Sequence, residues 1–193
     1  MKRLAIFLAA LPLAGCVSFA AKPPAALLDL TAAEQLQPGQ AQDAANAKTV
    51  TISVPAVPQA LSTARVPVQA TPTSVAYVKD ALWVEAPQRL FARLLSDTVA
   101  ARTGRVVLGP AQSFGDTGAR IGGELRNFGV DAASSSAIVT FDAALVREAG
   151  GKVEKRRFEA RVPVAKVDAT SVGQALNRGA NQVAAEVADW VGK

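Results

Sequence analysis

A chain of 193 residues is one domain in length, and with half of its side chains hydrophobic but only 5% aromatic it must build a core mainly from Ala, Val and Leu. It has no histidine and a single cysteine, which excludes Ser-His-Asp and Cys-His catalysis, the common zinc sites and any intrachain disulfide. Lys2 and Arg3 supply two of the 21 basic residues, and without them the balance against 16 acidic residues is +3, too small for a nucleic-acid binder.

The chain opens with a positive pair, Lys2 and Arg3, followed by the apolar run from Leu4 to Leu11, too short to span a bilayer as a stable helix. Next comes Leu13-Ala14-Gly15-Cys16, which resembles the bacterial lipobox: a branched residue, two small ones and a cysteine. Small residues let the extended chain enter the signal-peptidase cleft, while the Cys16 thiol receives the diacylglycerol. Residues 1–15 are therefore expected to be a lipoprotein signal peptide and Cys16 the lipidated first residue. The competing reading is an ordinary secretory signal with a cysteine near its cleavage site. Acyl chains such as palmitate contribute about 0.8 kcal/mol per buried methylene, enough in a triacylated N-terminus for lasting membrane attachment. Val17 stands where an aspartate would retain the lipoprotein at the inner membrane, so the expected location is the outer membrane, on its periplasmic face.

Residues 16–47 are rich in Ala, Gln and Pro, with breakers at Pro23-Pro24 and Pro38-Gly39, and are expected to be mostly tether. One apolar run, Leu27-Leu28-Asp29-Leu30, is either an edge strand docking on the domain or a loose turn. The folded domain is expected over residues 48–193. It begins with a strand in which Val50, Ile52 and Val54 alternate with Thr51 and Ser53, ended by Pro55 and Pro58. Arg65-Val66-Pro67 falls in a loop. Short strands at 74–78 and 81–85, joined at Lys79-Asp80, suggest a hairpin.

Pro87 suits the first position of a helix, and Leu90, Phe91, Leu94, Leu95 and Val99 recur at helical spacing up to Gly104. A short strand follows at 105–108, closed by Gly109-Pro110. Three longer strands are expected at 119–130, 135–148 and 152–163, the last two joined by Ala149-Gly150-Gly151 as a hairpin. Their inward residues are Val139, Phe141, Ala143 and Leu145 on one strand and Phe158, Ala160 and Val162 on its partner. A final helix starts near Ser171, which with Gln174 has capping-box spacing, and its small face of Ala175, Gly179, Ala180 and Ala184 suits close packing on a sheet. The whole is an α+β, two-layer sandwich with a mostly antiparallel sheet and two main amphipathic helices.

Candidate sites are few. Glu85, beside Trp83 and a helix start, has the surroundings of a raised-pKa general acid, but a glycosidase needs a second carboxylate at a set distance, and the simpler reading is a core Trp83 with Glu85 favouring the positive helix end. Lys152, Lys155, Arg156, Arg157, Arg161 and Lys166 form a basic stretch in which Lys155, Arg157, Glu159 and Arg161 share an outward side. It is either a solvated strand face or a surface for headgroups or an acidic partner, with Arg157 and Arg161 as the candidate contact residues. Gly115, Gly118, Gly122 and Gly123 match no nucleotide-binding pattern and read as loop and strand glycines. Ser134-Ser135-Ser136 reads as a loop tip. No catalytic, metal-binding or cofactor-binding residue is expected.

Lipobox, tether, the strand at Val50-Thr51-Ile52-Ser53-Val54, an Arg-containing loop, and Trp83-Val84-Glu85-Ala86-Pro87 followed by Leu90, Leu94 and Leu95 occur in an order that resembles the ABC-type transport auxiliary lipoprotein family. Trp83 to Pro87 is similar to that family's Trp-Ala-Glu-Pro segment and its leucine-rich helix, and the resemblance covers residues 49–190. Two features depart from it: Leu27-Leu28-Asp29-Leu30 replaces a Tyr-containing strand, and Ala86 is inserted before Pro87. The resemblance implies a non-enzymatic, membrane-anchored auxiliary component of an MCE-type lipid or hydrophobic-solute transport system, with an MCE-domain protein as partner and no cofactor. An outer-membrane assembly lipoprotein that chaperones or plugs a β-barrel is the alternative. A periplasmic hydrolase using carboxylates is the weakest reading.

Overall fold

Apart from Pro24, the computed structural model describes residues 26–148 and 150–192. The leader, the lipobox and Cys16 lie outside the described residues. The elements are β1 (Thr49–Ile52), β2 (Arg65–Thr71), β3 (Ser74–Leu82), α1 (Pro87–Thr103), β4 (Val106–Leu108), β5 (Ala119–Asp131), β6 (Ser136–Val146), β7 (Val153–Pro163) and α2 (Ala169–Val191). Short 3-10 turns occupy Gln59–Leu61 and Pro110–Gln112.

The seven strands form one mixed sheet with β5 as its hub. Along one edge β5 pairs antiparallel with β6 from Arg120↔Val146 to Asp131↔Ser136, and β6 pairs antiparallel with β7 without a register break. The other edge of β5 is divided: β1 runs parallel to its beginning, at Val50↔Ala119 to Ile52↔Ile121, and β2 parallel to its end, at Val68↔Val130. Beyond them lie β4, parallel to β1, and β3, antiparallel to β2. The long pairs are antiparallel and the short ones mostly parallel, and with two helices covering one face this is the expected α+β sandwich.

Alternation decides which face the helices cover. Ala137, Val139, Phe141, Ala143 and Leu145 of β6 and Phe158 and Ala160 of β7 are buried, as expected, while Val162 is only half-buried. In β5 the buried positions pass from Ala119, Ile121 and Leu125 to Phe128 and Val130, because a bulge between Leu125 and Asn127 inserts one residue and resets the period. Ring contacts stitch the layers: Phe91 of α1 on Phe141 at 5.2 Å, Trp190 of α2 on Phe158 at 5.5 Å, and Trp83 on Phe128 at 5.4 Å between centroids.

Pro87 opens α1 at its first position and Gly104 closes it with φ 72°, a left-handed conformation suited to glycine. Its Leu90, Phe91, Leu94, Leu95 and Val99 are all buried, each worth about 1.5–3 kcal/mol relative to exposure. In α2 the small face does what its composition suggests, for a Cβ on Gly179 would lie 3.1 Å from Val139 Cγ2 and 3.7 Å from Ala160 Cβ. The cap is Asp168, whose carboxylate accepts from the Ser171 amide at 2.8 Å. This replaces the Ser171–Gln174 capping box, and the helix begins two residues earlier than its apolar periodicity indicates.

Two strand expectations are corrected. Residues 74–82 form one strand, β3, and its hairpin partner is β2, which contains the Arg65-Val66-Pro67 read as loop; the reversal lies at Pro72-Thr73. Asp80 does take a positive φ of 57°, but spends it on a register shift opposite β2 instead of a turn. In β1 Thr51 is buried as well as Val50 and Ile52, with Pro110, Phe114 and Arg120 grouped about it, whereas Val54 falls beyond the strand's end and is 52% exposed.

Of the two readings open for Leu27-Leu28-Asp29-Leu30, docking is the one seen, through a single bridge and not a full strand. The Leu28 amide donates to Leu82 O at 2.7 Å and the Val84 amide to Leu28 O at 2.9 Å. Leu30 and Ala32 are buried, and beyond them Arg102 of α1 binds both Glu34 and Asp189 of α2.

Candidate functional site

The sheet face opposite the helices carries the basic stretch. Strand alternation puts Lys155, Arg157, Glu159 and Arg161 of β7 there, and the β6–β7 register sets Arg157 across from Asp142 and Glu159 across from Thr140. Arg157 donates twice to the Asp142 carboxylate, Nε to Oδ1 at 2.6 Å and Nη2 to Oδ2 at 2.7 Å, a bidentate geometry. Arg126, on the β5 bulge, adds a longer contact to Asp142 Oδ2 at 3.4 Å. Beside this group, Asn127 donates to Thr140 Oγ1, Thr140 to Glu159 Oε2 at 2.9 Å, and Arg161 Nε to Glu159 Oε1 at 2.8 Å.

The arrangement is solvated: the side chains of Arg157 and Arg161 are 58% and 56% exposed. Hydrogen bonding from Arg157 is the main cause holding the Asp142 carboxyl below the usual aspartate range, and the same bond raises the Arg157 guanidinium. Exposed pairs of this kind are screened by water and add little, so the lattice orders the face more than it stabilises the fold.

Two shallow grooves adjoin it and share Arg126 as a wall. One, of about 440 Å³, has an apolar lining that includes Pro58, Pro67, Val75 and Ile138, with Arg126 and Arg161 among its polar groups. The other, of about 600 Å³, is lined by Glu124, Arg126, Asp142 and the Lys155-Arg156-Arg157 run. Chemically the face offers cations and partly apolar relief to an extended or acidic surface.

The remaining candidates fall elsewhere. Trp83, between β3 and α1 in the chain, is buried against Phe128, and Glu85 forms an ion pair with Arg93 of α1. Gly123 lies within β5, where a Cβ would meet the Asp142 carbonyl oxygen at 2.0 Å, and Gly115 turns a loop at φ 74°. Ser134 caps the loop between β5 and β6 by donating to Asp131. Among the described residues no group of three or more His, Cys, Asp or Glu is placed to hold a metal ion, and no helix is long and apolar enough to cross a membrane.

Asp142, the centre of the lattice, is absent from the sequence-derived candidates. The signal was there: it falls between inward Phe141 and Ala143, hence outward, and the β6–β7 hairpin sets it against Arg157.

The class defined so far is a two-layer α+β domain with one sheet face left to solvent. A family model described as the ABC-type transport auxiliary lipoprotein component matches residues 29–188, and the chain belongs to that family. It is thus a non-enzymatic auxiliary component of a transport system. Among solved structures, protein XCC0632 from Xanthomonas campestris superposes with a TM-score of 0.69 at 18% identity, over 86% of this chain and 94% of that one. The crystal structure of an uncharacterized protein gives 0.65 at 16% identity, over 75% and 92%. Identities this low show a common fold alone. A search of curated proteins found no match.

Proposed function

We propose that the protein is a lipoprotein cleaved before Cys16, anchored by acyl chains to the periplasmic face of the outer membrane, and that it serves an MCE-type transport system carrying lipid or another hydrophobic solute. Its partner is an MCE-domain protein, met through the outer sheet face around Arg157 and Arg161. Family membership over residues 29–188 carries the reading. The lipobox ending in the chain's only cysteine supports the anchor, and Val17 supports the outer membrane. The stretch from Cys16 to Leu28, where the chain joins the domain, reaches at most about 45 Å when extended, so the domain stays near the membrane that holds it.

Metabolic labelling with a palmitate analogue tests the anchor. The wild type is expected to take up label and fractionate with outer membranes, while Cys16→Ser is unlabelled and uncleaved or mislocalised. A wild-type protein without label contradicts the anchor.

A further inference from the structure

Among the described residues the last strand of the sheet, β7, is paired on one side only, with β6. The Val164 amide donates to Ser135 O at 2.9 Å, which makes residues 164 and 135 a hydrogen-bonded pair at the end of the β6–β7 ladder. The register continues unbroken from Ser136↔Pro163 to Val146↔Val153, so alternation gives the direction of every backbone group. Residues 154, 156, 158, 160 and 162 bond to β6. Val153, Lys155, Arg157, Glu159 and Arg161 turn their N–H and C=O groups to the open edge. Pro163 has the same parity, so the amide it lacks is one that β6 does not use.

Those edge-facing residues also carry the outward side chains of β7, and Lys155, Arg157, Glu159 and Arg161 are all exposed. An added strand would therefore meet free backbone groups and, beside them, three cations and one carboxylate. The edge has no bulge, and proline enters only at its last residue. Such an edge is a template for another strand, and the charges that repel an apolar segment favour an acidic one.

We propose that β7 is completed by an extended segment of the transport partner, with carboxylates facing Lys155, Arg157 and Arg161. This rests on the partnership proposed above and specifies its chemistry: strand addition at the β7 edge, with acidic side chains at alternate positions on the outer face. A second copy of this chain fits less well. The two-fold antiparallel pairing that uses all of β7, centred on Phe158, sets Lys155 against Arg161 twice and Arg157 against Glu159 twice, so repulsion and attraction offset, whereas an acidic segment meets three cations against one carboxylate.

Two measurements on the full-length protein in detergent test the proposal. The first is amide hydrogen exchange with a short synthetic peptide alternating threonine and glutamate. Exchange at residues 155, 157, 159 and 161 should slow by about tenfold, while residues 156, 158 and 160 stay as they are, and a threonine–lysine peptide should have no effect. The second is retention of a co-expressed MCE-domain protein by two variants. Lys155→Pro removes an edge-facing amide without touching the β6 ladder and should lose the partner; Lys155→Arg keeps amide and charge and should retain it.

Lack of protection by the acidic peptide, together with a partner still held by Lys155→Pro, overturns strand addition and leaves the partnership standing. Protection by the peptide with no partner retained by the wild type supports the edge and removes the partnership. A doubled mass in light scattering that Lys155→Pro abolishes overturns the proposal in favour of self-pairing. The peptide measurement uses wild-type protein, so it decides the matter even where the proline variant fails to fold.

Discussion

The side-chain amide of Asn181 clasps the backbone of Thr31, donating from Nδ2 to its carbonyl oxygen at 2.9 Å while its Oδ1 accepts from the next amide but one, that of Ala33, at 2.6 Å. One turn earlier on α2, Asn177 Oδ1 accepts from the Thr31 amide at 2.9 Å. These bonds strap the N-terminal segment along α2, and so join the domain to the chain that leads to Cys16.

Asn177→Ala with Asn181→Ala should release this strap and little else. Each bond is exposed and worth about 1 kcal/mol or less. The expected outcome is faster hydrogen exchange at Thr31 and Ala33 with a nearly unchanged unfolding midpoint. Unaltered exchange at both amides would show that Leu28, Leu30 and Ala32 hold the segment without the asparagines.

Trp83 is 2% exposed and packs on Phe128, in a chain with few aromatic residues. Trp83→Ala should cost about 3–5 kcal/mol through lost contacts and the cavity left behind. Chemical denaturation measures it, and an unchanged midpoint is the contrary result.

Much of this architecture is legible in the sequence because it depends on local period and caps. Pro87 and Gly104 bound α1, and the Gly-Gly turn with alternating Phe141, Ala143 and Phe158, Ala160 identifies the β6–β7 hairpin and its outward cations. The rest depends on which strand meets which. Lys79-Asp80 carries the same signal whether its positive φ makes a turn or a bulge, and only pairing with β2 decides. Proline is disfavoured within a strand, yet the chain accepts Pro67 in β2 at a position paired with Tyr77. Thr51 looks like an outward residue until the segment after β4 brings Pro110 and Phe114 beside it. Asp168 is hard to recognise as a cap because the apolar period starts at Val172, beyond the first turn that the cap serves.

Gly123 shows a backbone requirement no periodicity reveals. With φ 146° and Asp142 O at 2.0 Å from an ideal Cβ, Gly123→Ala combines strain with a backbone clash, and is expected to cost about 3 kcal/mol or more. Gly122→Ala, one residue earlier with open space about its Cβ, is the control and should be nearly neutral. Equal midpoints for the two variants would contradict the close approach.

The acid side of the stability profile should reflect the paired carboxyls. Asp142 is held low chiefly by Arg157, and Asp168 by the Ser171 amide. A folded-state value below the unfolded one adds stability that is complete above the ordinary aspartate value of about 3.9 and is lost as pH falls through the folded value. Burial raises Asp97, whose effect has the opposite sign: its charge costs stability at higher pH and the cost is relieved on acidification. Asp142→Asn should flatten the loss below about pH 4, and Asp97→Asn should raise stability near neutrality. Denaturation midpoints measured across the acid range check both, and an acid limb unchanged in Asp142→Asn contradicts the first.

Binding of the transport partner by the outer sheet face, proposed above, is tested most directly by co-purification after charge reversal. Arg157→Glu with Arg161→Glu sets one carboxylate against Asp142 and another beside Glu159, exposed repulsions screened by water that the fold should tolerate, as circular dichroism can confirm. A co-expressed MCE-domain protein is expected to co-purify with the wild type and to be lost from the double variant. Full retention of the partner by a folded double variant would contradict the claim and return this face to the solvent.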